Sequence, residues 1–173
     1  MVMSAFAQLM GQPQAVELLT QAIARGRIAP AYLFTGIEGI GRKLAAYGLI
    51  ECLFHPVGQG DLSPSQQQIL RQRIEGRNHP DLLWVEPTYL HQGKRLTLAE
   101  AIAADVKRRT TALIRLEQIR EVGQFLGRSP LEAARSVVVL EHAEQMPEAS
   151  ANALLKTLEE PGQATLILIA RSP

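Results

Sequence analysis

Residues 31–43 decide the fold, and they read Ala-Tyr-Leu-Phe-Thr-Gly-Ile-Glu-Gly-Ile-Gly-Arg-Lys. The first five are apolar, aromatic or β-branched, which is typical of a buried strand. A loop follows that contains Gly36, Gly39 and Gly41, and helical spacing of apolar residues resumes over 43–53. When glycines join a strand to a helix in this way, their backbone amides can surround a phosphate at the positive end of the helix. The stretch therefore predicts a phosphate loop.

Three further apolar runs, at 81–86, 136–141 and 165–170, predict strands that are separated by helices. Unbroken Val, Ile and Leu in such strands indicate a parallel sheet with helices on both faces. The predicted fold class is α/β, with a three-layer α/β/α arrangement like that of P-loop NTPases. Ligands of such sheets bind beyond the carboxyl ends of the strands. Those ends lie at 36–43, 141–144 and 171–173.

Length and composition predict one domain over 1–173, because 173 residues with 46% hydrophobic side chains can form a single core. Residues 88–111 interrupt the pattern and are predicted to be a surface insertion. Within them, Thr97 and Glu100 form a capping box for a helix that runs to about Arg109.

Several function classes are disfavoured by the composition. No apolar run is long enough to cross a bilayer, so a soluble protein of the cytoplasm is expected. The single cysteine, Cys52, cannot form an internal disulfide or a structural zinc site by itself. The formal net charge is +1, which gives no strong attraction to nucleic acid. Contact with DNA would have to be local or shared with partners.

The loop departs from the hydrolytic pattern at two positions. A working loop has lysine and then serine or threonine after its last glycine, because lysine reaches the terminal phosphates and the hydroxyl helps to hold magnesium. Here Arg42 stands at the lysine position and Lys43 at the hydroxyl position. Shifting the register by one residue places Arg42 at the glycine and Leu44 at the hydroxyl. The loop leaves room for weak binding of ATP, ADP or phosphate, but it does not support hydrolysis.

The run 136–141 ends in Glu141 and is followed by His142. A hydrolysing protein of this class has an Asp-Glu pair there, one carboxylate for the metal and the other to activate water. Glu141 can still serve a metal, whereas His142 is a poor substitute for the activating carboxylate and is interpreted as an exposed polar residue at a strand end. Two separate losses favour an inactive site, so no catalytic residue, cofactor or metal is predicted.

Residues 152–161 read Asn-Ala-Leu-Leu-Lys-Thr-Leu-Glu-Glu-Pro, and residues 78–82 read Asn-His-Pro-Asp-Leu. Both stretches closely resemble signatures of the bacterial clamp-loader subunits of DNA polymerase III, which are AAA+ proteins. The resemblance covers nearly the whole chain apart from 57–72 and 88–111. The family often holds zinc with four cysteines, but only Cys52 stands at a matching place, so no zinc is expected.

The resemblance implies a role in DNA replication. It implies as partners the other clamp-loader subunits (delta and gamma/tau), and through them the sliding clamp and primed DNA, with no membrane. The altered loop points to a non-catalytic stator subunit; the alternatives are an active motor ATPase of the same loader and, less favoured, a separate phosphate-loop kinase. The family's arginine finger, fifth strand, lid and collar are expected outside these residues, which would leave strand 31–35 as a bare apolar edge.

The helix at 148–160 has two faces. Ala151, Leu154, Leu155 and Leu158 are predicted to pack in the core. The opposite face carries Asn152, Lys156 and Glu159. Such a face is ordinarily solvated, and the resemblance makes these three residues candidates for contact with a neighbouring subunit or DNA. Trp84 and Phe34 are interpreted as core residues rather than as platforms for bases.

Overall fold

A computed structural model describes residues 5–55, 62–106, 111–159 and 162–171. Within them the helices are α1 (Pro13–Ala24), α2 (Arg42–Phe54), α3 (Pro64–Glu75), α4 (Leu98–Ala103), α5 (Leu116–Leu126) and α6 (Glu148–Glu159). The strands are β1 (Ala31–Gly36), β2 (Leu82–Val85), β3 (Tyr89–His91), β4 (Lys94–Leu96), β5 (Ser136–Glu141) and β6 (Ala164–Arg171). A short 3-10 turn, Ala143–Gln145, follows β5.

The main sheet has the strand order β1-β6-β5-β2, and every neighbouring pair is parallel. Alternate residues of β5 point to opposite faces, as the period of a strand requires. Val137 and Val139 pack with α1, α2 and α3, whereas Val138 and Leu140 pack with α5 and α6. All six residues of β5 are buried. The predicted three-layer α/β/α fold is confirmed, and the carboxyl ends of all four strands meet at one edge.

Strand β1 lies at the end of this sheet and pairs with β6 on one side, while no other described strand pairs with its free side. Leu33 on β1 is 61% exposed, and Leu18 on α1 is 68% exposed. The expected bare apolar edge is therefore present. None of the helices in the described ranges is long and apolar enough to cross a bilayer.

The insertion at 88–111 contains an antiparallel hairpin, β3 and β4, that the sequence analysis did not predict. Gln92 and Gly93 form its two-residue turn with φ of 49° and 77°; positive φ at both positions matches the twist of the strands. The predicted capping box is confirmed, but α4 ends at Ala103 rather than near Arg109, and residues 107–110 lie outside the described residues.

The predicted core face of α6 is rotated in the structure. Leu154 is 3% exposed and Leu158 packs against the core, but Leu155 is 57% exposed. The inner side of the helix instead includes Ser150 and Ala153, and because adjacent residues on a helix point about 100° apart, Leu155 is turned toward solvent. Leu155 is thus an apolar residue on the open surface of the helix.

Candidate phosphate-loop site

The predicted loop lies between β1, which ends at Gly36, and α2, which begins at Arg42. Gly39 and Gly41 have φ of 84° and 98°, a region that other residues rarely adopt. At Gly41 the restriction is also steric, because an added Cβ would lie 2.5 Å from Cδ1 of Leu9. The Gly41 carbonyl accepts a hydrogen bond from the Ala45 amide at 2.9 Å, which begins the helix. The strand, glycine loop and helix thus occur in the predicted order.

Lys43 and Glu141, which belong to two separate degenerate motifs, form a direct ion pair. The Nζ atom of Lys43, in the first turn of α2, lies 2.6 Å from Oε1 of Glu141 at the end of β5. The other carboxylate oxygen accepts hydrogen bonds from Nε1 of Trp84 at 2.9 Å and from Nη2 of Arg77 at 3.3 Å. Both oxygens of Glu141 therefore have donors from the protein itself.

Arg77 extends this cluster. Its Nη1 lies 3.1 Å from Oε1 of Glu86, and its guanidinium lies 4.9 Å from the centre of the Trp84 ring. Burial raises the pKa of Glu141, but hydrogen bonds from Lys43 and Trp84 and the nearby positive charges lower it, and the net pKa lies below its usual value. The Glu141 carboxylate therefore remains ionised near neutral pH.

Trp84 is half-buried and is not available as a platform for bases. Its ring contacts Tyr47 at 5.3 Å between centroids and lies beneath both Arg77 and Lys43. Phe34 is likewise half-buried and packs against the core. The interpretation of both residues as part of the packed interior is consistent with their surroundings.

Arg42 contacts a different strand. Its Nη1 donates a hydrogen bond to the carbonyl oxygen of Ala170, near the end of β6. The residue at the lysine position of the motif is thereby joined to the sheet through a backbone oxygen. Arg42 and Lys43 use neighbouring positions to join the start of α2 to two different strand ends.

The loop is also linked to β6 on its outer side. Arg171 Nη2 lies 3.2 Å from Oε2 of Glu38, and the Arg171 amide donates to Oε2 of Glu144 at 3.2 Å. His142 has φ of 55°, and its side chain, 36% exposed, lies 3.2 Å from Glu144. Residues from all three predicted strand ends, Glu38, Glu144 and Arg171, therefore lie together, and the polar side chain of His142 lies beside Glu144.

A magnesium nucleotide does not fit the described side chains. Position 43 carries an ammonium instead of a hydroxyl. That ammonium is paired with the Glu141 carboxylate, which would face the metal. In the described part of the chain, no group of three or more His, Cys, Asp or Glu residues could hold a metal ion.

Burial raises the pKa of Cys52 to about 12, which keeps this thiol protonated.

The His-Pro-Asp signature lies at the opposite end of the sheet. Asp81 is 2% exposed and accepts hydrogen bonds from the amides of Leu131, Glu132 and Ala133 at 2.6, 2.8 and 2.7 Å. His79 accepts a hydrogen bond from the Asp81 amide at Nδ1. Sequence reasoning gave this signature no role, and the contacts show a clamp that fixes the loop entering β5.

His79 completes the clamp as a packed, uncharged ring. It stacks on Phe54 with 4.2 Å between centroids. Burial lowers the pKa of His79, and the nearby Arg73 adds to this effect. The imidazole is therefore neutral near pH 7 and contributes packing rather than charge.

The candidate interface residues Asn152, Lys156 and Glu159 are all exposed on α6. No hydrogen bond or ion pair between them and the loop at 36–43 is found in the described ranges. They thus form a surface separate from the phosphate loop.

A solved structure supports the fold. A DNA polymerase III, gamma subunit-related protein from Thermotoga maritima superposes with a TM-score of 0.54 and 22% sequence identity, covering 90% of this chain and 38% of that one. At this identity the likeness concerns the fold alone.

Relatives in sequence are DNA polymerase III subunits. The subunit delta' of Bacillus subtilis is 32% identical over 94% of this chain, and that of Pseudomonas aeruginosa is 31% identical over 90%. The chain spans 42% of the length of each. The subunit tau of Escherichia coli is 26% identical over 95% of the chain and 22% of its own length. Residues 11–173 match the family model described as DNA polymerase III, delta subunit. The chain therefore belongs to this DNA polymerase III subunit family.

Proposed function

We propose that the chain is part of a non-catalytic stator subunit, equivalent to delta-prime, in the clamp loader of DNA polymerase III. In this role it helps to place the sliding clamp on primed DNA during replication in the cytoplasm. The observation that carries the proposal is the ion pair between Lys43 and Glu141 at 2.6 Å. It joins the two motifs that would have to cooperate in hydrolysis.

Phosphoryl transfer has two chemical requirements. Catalysis depends on a metal ion that bridges the phosphates and on a group that orients or activates the attacking water. Lys43 supplies no hydroxyl for the metal, and His142 is paired with Glu144 beside the strand end where the activating carboxylate would stand. A rigid subunit that positions its neighbours needs neither group.

A motor ATPase of the same loader is the second candidate. It is favoured by the similarity to gamma and tau subunits, at 26–28% identity over 95% of the chain. The delta' relatives are more similar, at 31–32%. The altered positions 42, 43 and 142 also favour the stator. Magnesium-dependent turnover that is lost in Glu141→Ala would support the motor instead.

The proposed partners are the delta and gamma/tau subunits, and through the complex the sliding clamp and primed DNA. The exposed surface of α6 is the proposed contact region, where Asn152, Lys156 and Glu159 lie in solvent beside the 57%-exposed Leu155. This surface suits another subunit better than it suits bare DNA, because it carries Glu159 as well as Lys156.

Co-purification of the full-length protein with the other loader subunits tests the proposal. We expect a stable complex that does not require ATP hydrolysis by this subunit. Lys156→Glu should weaken assembly, whereas Lys94→Glu, an exposed change on β4, is the matched control. Failure of the unchanged protein to join the complex would contradict the proposed role.

A further inference from the structure

We infer that the ammonium of Lys43 is a built-in replacement for a metal ion at Glu141, and that it excludes divalent cations from this site. The inference deepens the proposed stator function and rests on it. Its basis is the geometry of one carboxylate whose two oxygens are both occupied by groups of the protein.

Three donors of the protein surround the carboxylate of Glu141. Oε1 of Glu141 is paired with Lys43, and Oε2 accepts from Trp84 and Arg77. A divalent cation would need at least one of these oxygens as a ligand. The three donors take three of the roughly four lone-pair positions of the carboxylate, so a cation at the last one, on Oε1, would lie directly against the Lys43 ammonium. Because the Glu141 side chain is only 12% exposed, water has little access to replace any contact that is lost.

The formal charges around Glu141 already balance. Lys43 and Arg77 carry two positive charges, and Glu141 and Glu86 carry two negative charges within the same set of ion pairs. The cluster is therefore neutral. A divalent cation beside Glu141 would leave an excess of positive charge in a partly buried place, where screening is weak.

The ion pair of Lys43 and Glu141 also joins the start of α2 to the sheet. Lys43 belongs to α2, Glu141 to β5 and Trp84 to β2. The ammonium thus joins the start of the helix to two strands of the sheet without any ligand. A site that is completed in this way keeps its arrangement whether or not nucleotide is present, as a stator requires.

Trp84 provides a direct readout, because it is the only tryptophan in the chain and donates to Glu141. Mn²⁺ is the probe, since this paramagnetic ion quenches indole emission at short range. Titration should compare the unchanged chain with Lys43→Ser, which removes the cation, and with Lys43→Arg, which keeps it. Lys43→Gln is the second neutral variant, because it retains a donor near Glu141 and thereby protects the fold.

We expect saturable quenching in Lys43→Ser and Lys43→Gln at a Mn²⁺ concentration at least about tenfold below any that quenches the unchanged chain. Lys43→Arg should behave like the unchanged chain. Saturable quenching of the unchanged chain in the same range would overturn the inference. A folded neutral variant that remains insensitive to Mn²⁺ would overturn it equally.

The result is separable from the test of the proposed function. Co-purification of the unchanged protein with loader subunits measures assembly, whereas Mn²⁺ quenching measures access to Glu141. A protein that assembles and yet binds Mn²⁺ at Glu141 would refute the built-in cation alone. A protein that excludes Mn²⁺ but does not assemble would refute the stator role alone.

Discussion

Asp81 and Glu141 are both buried carboxylates, yet they lie at opposite ends of the parallel sheet and are held by different kinds of donors. Asp81 accepts three backbone amides from residues 131–133. Glu141 accepts only from side chains, those of Lys43, Trp84 and Arg77. Backbone donors exist in every sequence that adopts this fold, whereas side-chain donors change with each substitution.

The difference separates a carboxylate held by the backbone from one held by side chains that substitutions can replace. The donors to Asp81 cannot move away without unfolding the loop that leads into β5. Lys43 and Arg77 are 43% and 33% exposed in their side chains, so both can return to water if Glu141 is lost. We therefore predict that Asp81 contributes more to the free energy of unfolding than Glu141 does.

Asp81→Asn should have the largest effect. Asparagine offers one acceptor and one donor group, so amides of the loop would lose partners or face an NH₂ group. We expect a loss of about 2–4 kcal/mol in the free energy of unfolding, because buried bonds to a charged acceptor are costly to break. Urea denaturation measures the loss. Glu17→Gln on the exposed side of α1 is the control, and an equal effect of both changes would refute the clamp.

The pH dependence of the stability tests the same role of the Asp81 carboxylate. Burial raises the pKa of Asp81, but the three amide hydrogen bonds outweigh it and the net pKa lies below the ordinary value of 3.8. A depressed folded-state pKa gives stability that is present above the unfolded pKa and is lost as pH falls through the folded one. The stability gap between the unchanged chain and Asp81→Asn should thus shrink as the pH falls through the ordinary value of 3.8 and below it. A gap independent of pH would show that the charge of Asp81 is unimportant.

Glu141→Gln should have a smaller effect, about 1 kcal/mol, because the partly exposed cations Lys43 and Arg77 can regain solvent. The same change should shift the emission of Trp84, which loses a charged acceptor. Thermal denaturation and fluorescence measure the two effects. If Glu141→Gln destabilised the chain as much as Asp81→Asn, the proposed contrast between the two carboxylates would be wrong.

The outer pair of Glu38 and Arg171 should have the smallest effect. Their side chains are 80% and 53% exposed, so solvent screens the attraction. We expect the coupling between them to be below about 0.5 kcal/mol in a double-mutant cycle. A coupling above that of Lys43 with Glu141 would mean that the loop is held mainly from its outer side.

Much of the fold followed from the sequence. The apolar runs, the glycine loop and the capping box at Thr97 are local patterns, and the structure confirms them. The β3–β4 hairpin was missed although Gln92-Gly93 between two short strands is a usable signal. Leu155 was assigned to the core because the apolar pattern of α6 does not show that Ser150 and Ala153 lie on its inner side.

The candidate site was only partly predictable. The sequence identified Arg42, Lys43, Glu141 and His142 as departures from a motif, and parallel strands required that they meet at one edge of the sheet. The pairing of Lys43 with Glu141 depends on how far α2 lies from β5. The contribution of Arg77 depends on a backbone with φ of 56° just after α3. Neither property is encoded in a short pattern of residues.

Hydrolysis of ATP by the purified chain in the presence of Mg²⁺ tests the central claim most directly, because the account holds that the groups needed to cleave ATP are absent. We predict phosphate release equal to that of a sample without protein. Mg²⁺-dependent release that Glu141→Ala abolishes would contradict the account.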